Sequence, residues 1–182
     1  DHGEGFREHG RTEHDNVIYE EGLRVPWVLF GPGIPSDGQV IEGLRQHIDL
    51  LPTVADALGF ETRGSTLVGK SVLSSKGHEE LFYSCWYTNF CMAHRKGTDK
   101  TIFHYRRRKA QRFDLGSDPF ERKNLARSKG IDPEIIDKLK AWKRGVNLRY
   151  EAHLKQRKKR FVTTTSPSPQ KPLKVSFGDT IE

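Results

Sequence analysis

The sequence predicts an α/β chain in two parts. Residues 1–75 read as the end of a mostly parallel sheet with one covering helix. Residues 76–161 read as a small antiparallel sheet of about four strands with a packed C-terminal helix, and residues 162–182 as a disordered tail. Three observations carry this reading. Val25–Phe30 is a continuous apolar run, the pattern of a strand buried on both faces. Between 81 and 115 the segments are short, aromatic or β-branched, and separated by turn residues. After Asp132-Pro133-Glu134 an apolar stripe takes on helical spacing.

The first fifteen residues hold His2, His9 and His14 among glycines and acids, with Phe6 almost alone as an apolar residue. No core element has that composition, so the stretch reads as a loop that presents ligands. Asn16–Gly22 is predicted as a short helix capped by Asn16. Gly31-Pro32-Gly33 ends the apolar run that follows. Asp49 is predicted to N-cap a helix whose face is Leu51, Val54, Ala55 and Leu58, with Pro52 in the first turn and Gly59 at C′. The predicted meander strands are Leu81–Tyr87, Cys91–Lys96, Thr101–Tyr105 and Gln111–Leu115. In the final helix Pro133 suits the first turn, Glu134 suits the helix dipole, and Ile135, Leu139, Trp142 and Val146 form the stripe. Gly145 weakens it by roughly 1 kcal/mol. The sequence TTTSPSPQKP from Thr163 is polar and Pro-rich, the composition of a disordered segment.

The 182 residues carry a formal net charge of +7, unevenly spread. Arg95, Lys96, Lys100, Arg106, Arg107, Arg108, Lys109 and Arg112 form one run, and Lys155, Arg157, Lys158, Lys159 and Arg160 another. Each run is either a surface for an anionic partner or a solvated face. A nucleic acid is not expected, because the aromatics alternate with apolar residues as core residues do. No apolar stretch approaches a membrane span. Cys85 and Cys91 are six apart, without zinc-ligand spacing; they are either a hairpin disulfide of an exported protein or two buried thiols. The chain opens on Asp1-His2-Gly3-Glu4 rather than on Met, and the expectation is a segment of a longer protein.

A carboxylate beside an imidazole in a Gly-flanked loop can hold a divalent cation. Asp1-His2-Gly3-Glu4 leads into Glu8-His9-Gly10, His14, Tyr19-Glu20-Glu21-Gly22-Leu23-Arg24-Val25-Pro26 and Gly31-Pro32-Gly33-Ile34. Ile48-Asp49-Leu50-Leu51-Pro52-Thr53 and Leu58-Gly59 follow, then Phe113-Asp114-Leu115, Asp118-Pro119, Glu121 and Asn124-Leu125-Ala126. In this order the motifs resemble the sulfatase family of the alkaline phosphatase superfamily, over residues 1–126.

The resemblance implies the C-terminal part of an alkaline-phosphatase-like sheet, with Asp1 and His2 as metal ligands. The implied metal is Ca²⁺, with Mg²⁺ or Mn²⁺ as alternatives because the family often has Asn where His2 stands. It implies His14 as the basic residue that binds the sulfate and protonates the leaving oxygen, where lysine is commoner. Glu20 and Arg24 are expected to pair and hold the loop at the sheet edge; Glu4 and His9 receive no role. The family's nucleophile is a formylglycine made within Cys/Ser-x-Pro-x-Arg, and neither cysteine lies in that motif, so it is expected upstream. The segment alone is therefore expected to be inactive. The implied substrate is a sulfated small molecule or glycan. The implied location is exported or membrane-anchored through upstream sequence. Two alternatives stand beside this: a phosphoester hydrolase or phosphoglycerol or phosphoethanolamine transferase of the same superfamily, and a basic polyanion-binding module without catalysis.

Overall fold

Short segments pair into one four-stranded antiparallel sheet in the order β1 (Glu80–Ser84), β2 (Cys91–Lys96), β3 (Asp99–His104), β4 (Gln111–Asp114). The computed structural model describes residues 1–10, 12, 18–32, 34, 37–61, 67–85, 91–105 and 109–164, without the side chains of 158–164. The strands follow the predicted meander, although Trp86 and Tyr87 of the first prediction lie outside the described residues. Lys96 pairs with Asp99 across a two-residue turn in which Gly97 takes φ 58°, a conformation open to glycine at little cost.

Side chains alternate across this sheet, and each face finds a different cover. One face presents Tyr83, Cys91, Ala93, Ile102 and Phe113, which pack with Ile18, Tyr19 and Leu23. On the other face Met92 is fully buried, Lys140 Nζ sits 5.9 Å from the Phe103 ring centre and Lys138 reaches Glu80 at 3.4 Å. Those lysines, with the fully buried Leu139, belong to the helix α4 (Pro133–Thr164). Asp132 caps it as predicted, its Oδ1 accepting the Glu134 N–H at 2.9 Å. The helix reaches Thr164 and takes in Val162, Thr163 and Thr164. Residues 165–182 of the predicted tail lie outside the described residues. The chain forms two compact units, Asp1–Lys140 and Ala141–Glu182. In the second, Val146 is 37% exposed.

The predicted parallel-sheet strand is corrected. Residues 25–30 run without ladder partners, and Val28 and Phe30 are 78% and 90% exposed. A ladder needs a second strand, and among the described residues none lies beside this one. The helix α1 is Glu20–Leu23; Asn16, its predicted cap, is outside the described residues.

The helix α2 (Leu50–Ala57) ends as predicted. Gly59 takes φ 73°, Phe60 N–H bonds Ala55 O at 2.8 Å and Gly59 N–H bonds Asp56 O at 3.0 Å, a Schellman closure. Its start and its buried face differ from prediction. Asp49 ends a 3₁₀ turn, His47–Asp49, and its carboxylate accepts the Gln46 N–H upstream instead of capping α2. Pro52 and Thr53 are buried, while Leu51 and Leu58 are 59% and 66% exposed. The apolar stripe faces away from every described element that could cover it, so helical periodicity identified the stripe but not its partner. A four-residue helix α3 (Ala126–Lys129) precedes α4. No helix among the described residues is long and apolar enough to cross a membrane.

Candidate functional site

Asp1 and His2 lie at the open end of the first loop, their side chains 93% and 50% exposed. His2 Nδ1 sits 2.9 Å from Gly3 O. A carbonyl only accepts, so Nδ1 donates in this contact and Nε2 is the ring nitrogen on the side of Asp1. Nε2 is 3.7 Å from Asp1 Oδ1. Cation–ligand distances are about 2.0–2.6 Å, so two such donors can share one ion. The pair fits a divalent cation but does not complete its shell. Among the described residues no third His, Cys, Asp or Glu joins them.

Gly3 fixes this loop to α1. Its N–H donates to Gly22 O at 3.1 Å, and a Cβ in its place would lie 1.8 Å from the Glu21 carbonyl oxygen. Its missing side chain makes room for the backbone of α1. A second tie is His9, for which the sequence suggested no role. Its ring stacks on Tyr19 at 3.7 Å and 7°. Nδ1 lies 2.7 Å from Glu21 Oε1 and Nε2 3.0 Å from Glu121 O. Burial pulls the His9 pKa down, but hydrogen bonds to the Glu121 carbonyl and the Glu21 carboxylate outweigh it, and the net direction is up.

The Glu20 carboxylate turns toward the sheet and away from Arg24. Oε1 takes Lys100 Nζ at 2.9 Å and Oε2 takes Arg95 at 3.2 Å. The exposed Arg24 meets Glu20 through its backbone N–H, 2.8 Å from Glu20 O. Lys100 has no exposed surface and also lies 2.9 Å from Glu121 Oε1. Glu121 Oε2 accepts the Glu20 N–H at 2.5 Å, giving an acceptor to one of the donors that a helix start leaves unpaired. Burial raises the Glu121 pKa, with Lys100 opposing the shift. Burial first, then the Glu20 charge, pushes Tyr83 up to about 12. Two cations and two carboxylates thus join the loop to β2, β3 and the Asp118-Pro119-Phe120-Glu121 turn. Arg112 is paired as well, 2.6 Å from Asp99. Three cations of the first basic run are therefore internal partners, leaving fewer for an outside polyanion.

A second buried polar centre supports α2. Asp49 is fully buried; Oδ1 accepts the Lys70 N–H at 2.8 Å and lies 2.8 Å from His78 Nε2, and Oδ2 accepts the Gln46 N–H at 2.9 Å. Thr53 Oγ1 donates to Asp49 O at 2.6 Å and accepts the Val72 N–H at 3.0 Å. Cys85 and Cys91 form a disulfide with Cα atoms 5.3 Å apart, which decides between the two readings of that pair. His14 lies outside the described residues. The sequence singled out Asp1, His2 and Glu20, but it paired Glu20 with Arg24 and gave no role to His9, Lys100 or Glu121, the groups that tie this loop and α1 to the sheet.

Residues 1–60 match the family model described as Sulfatase. The chain is 28% identical over 141 residues to the Delta 4,5-hexuronate-2-O-sulfatase of Bacteroides thetaiotaomicron, covering 70% of this chain and 29% of that protein. It is 39% identical over 59 residues to the low-salt glycan biosynthesis sulfotransferase Agl7 of Haloferax volcanii, covering 32% of this chain and 14% of that one. Among solved structures it is similar to a 2-O GAG sulfatase, with TM-score 0.60 and 27% identity over 85% of this chain and 35% of the other. A second structure, solved with D-glucosamine-2-N,6-O-disulfate as its substrate, matches in fold with TM-score 0.62 at 22% identity, over 79% of this chain and 32% of that one. The chain thus spans about a third of the length of these relatives or less.

Proposed function

The chain belongs to the sulfatase family, and from that premise we propose that it supplies part of the cation site of an enzyme that hydrolyses a sulfate ester of a sulfated sugar. The observation that carries this is the Asp1–His2 pair, a carboxylate oxygen and an imidazole nitrogen 3.7 Å apart on a loop tied to α1. Asp1 and His2 would hold Ca²⁺, with Mg²⁺ or Mn²⁺ as alternatives. The bound cation would neutralise the sulfate oxygens. His14 would donate a hydrogen bond to the sulfate and, when protonated, give its proton to the leaving alkoxide. Both cysteines are joined to each other and neither sits in Cys-x-Pro-x-Arg, so the formylglycine nucleophile would come from outside these 182 residues. The disulfide supports an exported protein, since such bonds persist in oxidising compartments.

The names of the relatives support a sulfated glycan as substrate, with a 2-O-sulfated hexuronate as the first choice. The sulfotransferase match over 59 residues favours a second reading, transfer of the sulfuryl group to a sugar acceptor in place of water. The test uses the complete protein with sulfated and phosphorylated forms of one sugar, with and without a chelator. The expected result is chelator-sensitive release of inorganic sulfate. Turnover of the phosphate ester alone would favour the phosphoester reading, and sulfated acceptor without free sulfate the transfer reading.

A further inference from the structure

We propose that Glu121 is a positioning residue for the Asp1–His2 pair, acting from the antiparallel subdomain on the loop that carries them. This rests on the cation-site reading above and names the residue that regulates the placement of that site.

Glu121 touches α1 and the loop through two atoms and reaches Glu20 through Lys100 by a third. Oε2 accepts the N–H that opens α1 at Glu20, 2.5 Å away. The backbone carbonyl meets His9 Nε2 at 3.0 Å, and His9 also binds Glu21 and stacks on Tyr19. Oε1 lies 2.9 Å from Lys100, which holds the Glu20 carboxylate at 2.9 Å. Both places where the loop hangs on α1, Gly3 on Gly22 and His9 on Glu21, are therefore on a helix that Glu121 holds at its first residue. The side chain has no exposed surface and no face toward solvent to serve instead.

The backbone of Glu121 indicates the same role. Its φ is 52°, in the left-handed region, where a non-glycine residue persists only if its surroundings over-determine it. The turn does so. Glu121 N–H bonds Asp118 O at 3.1 Å, and the Asp118 carboxylate takes the Arg122 and Lys123 N–H groups at 3.0 and 2.7 Å. A rigid turn thus aims one carboxylate and one carbonyl at the ligand loop from 101 and 112 positions away. The contacts meet at His9 and at the start of α1, the elements through which the segment bearing Asp1 and His2 is held.

The test is made in the complete enzyme. Glu121→Ala removes both side-chain contacts. Glu121→Gln keeps an acceptor for the Glu20 N–H but loses the charge facing Lys100. His94→Gln perturbs a buried side chain on the opposite sheet face, 2.7 Å from Glu80, and serves as the control for general destabilisation. Calcium affinity is measured by titration calorimetry well below each variant's Tm, with kcat and KM on a sulfated sugar. Glu121→Ala is expected to weaken calcium binding about 10- to 100-fold, the range for outer groups that orient metal ligands. Part of kcat should return at high calcium, with Glu121→Gln between it and wild type and His94→Gln unchanged. Where Glu121→Ala does not fold, Glu121→Gln decides by the same comparison. A Glu121 variant with lowered Tm but calcium affinity equal to that of His94→Gln overturns the inference. Undiminished calcium affinity in Asp1→Ala and His2→Ala overturns instead the cation-site reading beneath it.

Discussion

Lys100 Nζ lies 2.9 Å from Glu20 Oε1, 80 positions apart in sequence, and the lysine has no exposed surface. A buried ion pair adds little over a well-packed apolar pair, but breaking one strands a charge in a poor solvent. Lys100→Met should therefore cost about 3–5 kcal/mol, because Glu121 loses its cation and Glu20 keeps only Arg95. Urea unfolding at neutral pH checks this. A loss below about 1 kcal/mol would mean that the cluster relaxes to admit water.

Asp49 holds the Gln46 and Lys70 backbone N–H groups and the His78 ring with no access to solvent. Asp49→Ala leaves three donors without an acceptor and should destabilise by at least about 3 kcal/mol, at roughly 1–3 kcal/mol for each buried orphan. The amides of Gln46 and Lys70 should exchange hydrogen faster in that variant. Unchanged protection at both would show that other acceptors replace the carboxylate.

His9 faces a carboxylate at Nδ1 and a carbonyl at Nε2, with Asp118 and Glu121 the other acids around it. Both ring nitrogens can donate only in the imidazolium form, and the folded pKa is accordingly raised above 6.5. Its contribution to stability is full below the unfolded value near 6.5 and is lost as pH rises through the higher folded value. The penalty of His9→Gln should thus be larger at pH 5.5 than at pH 9. A penalty independent of pH would show that the ring acts through stacking on Tyr19 alone.

The antiparallel sheet was legible because its information is local. Cys91–Lys96 and Asp99–His104 are short runs that meet across a turn with a glycine, so neighbours in sequence are neighbours in space. Pro133 opened α4 for an equally local reason, the Asp132 cap. Val25–Phe30 and the Leu51–Leu58 stripe misled because an apolar pattern states that a surface prefers cover without saying which element provides it. Lys100 was hidden inside a basic run that reads as a solvated face. Only the convergence of Glu20 and Glu121 accounts for its burial, and neither is near it in sequence. Gly3 stood in the sequence only as a loop glycine, and its close approach to Glu21 is visible in the structure alone.

The central claim is that Asp1 and His2 hold a catalytic cation in a sulfatase. The direct measurement is bound calcium per molecule of complete protein by elemental analysis, for wild type, Asp1→Ala and His2→Ala, alongside sulfate release from a sulfated sugar. The account predicts that each substitution lowers both bound calcium and rate, and that added calcium partly restores the rate. Full calcium occupancy with an unchanged rate in both variants would contradict it.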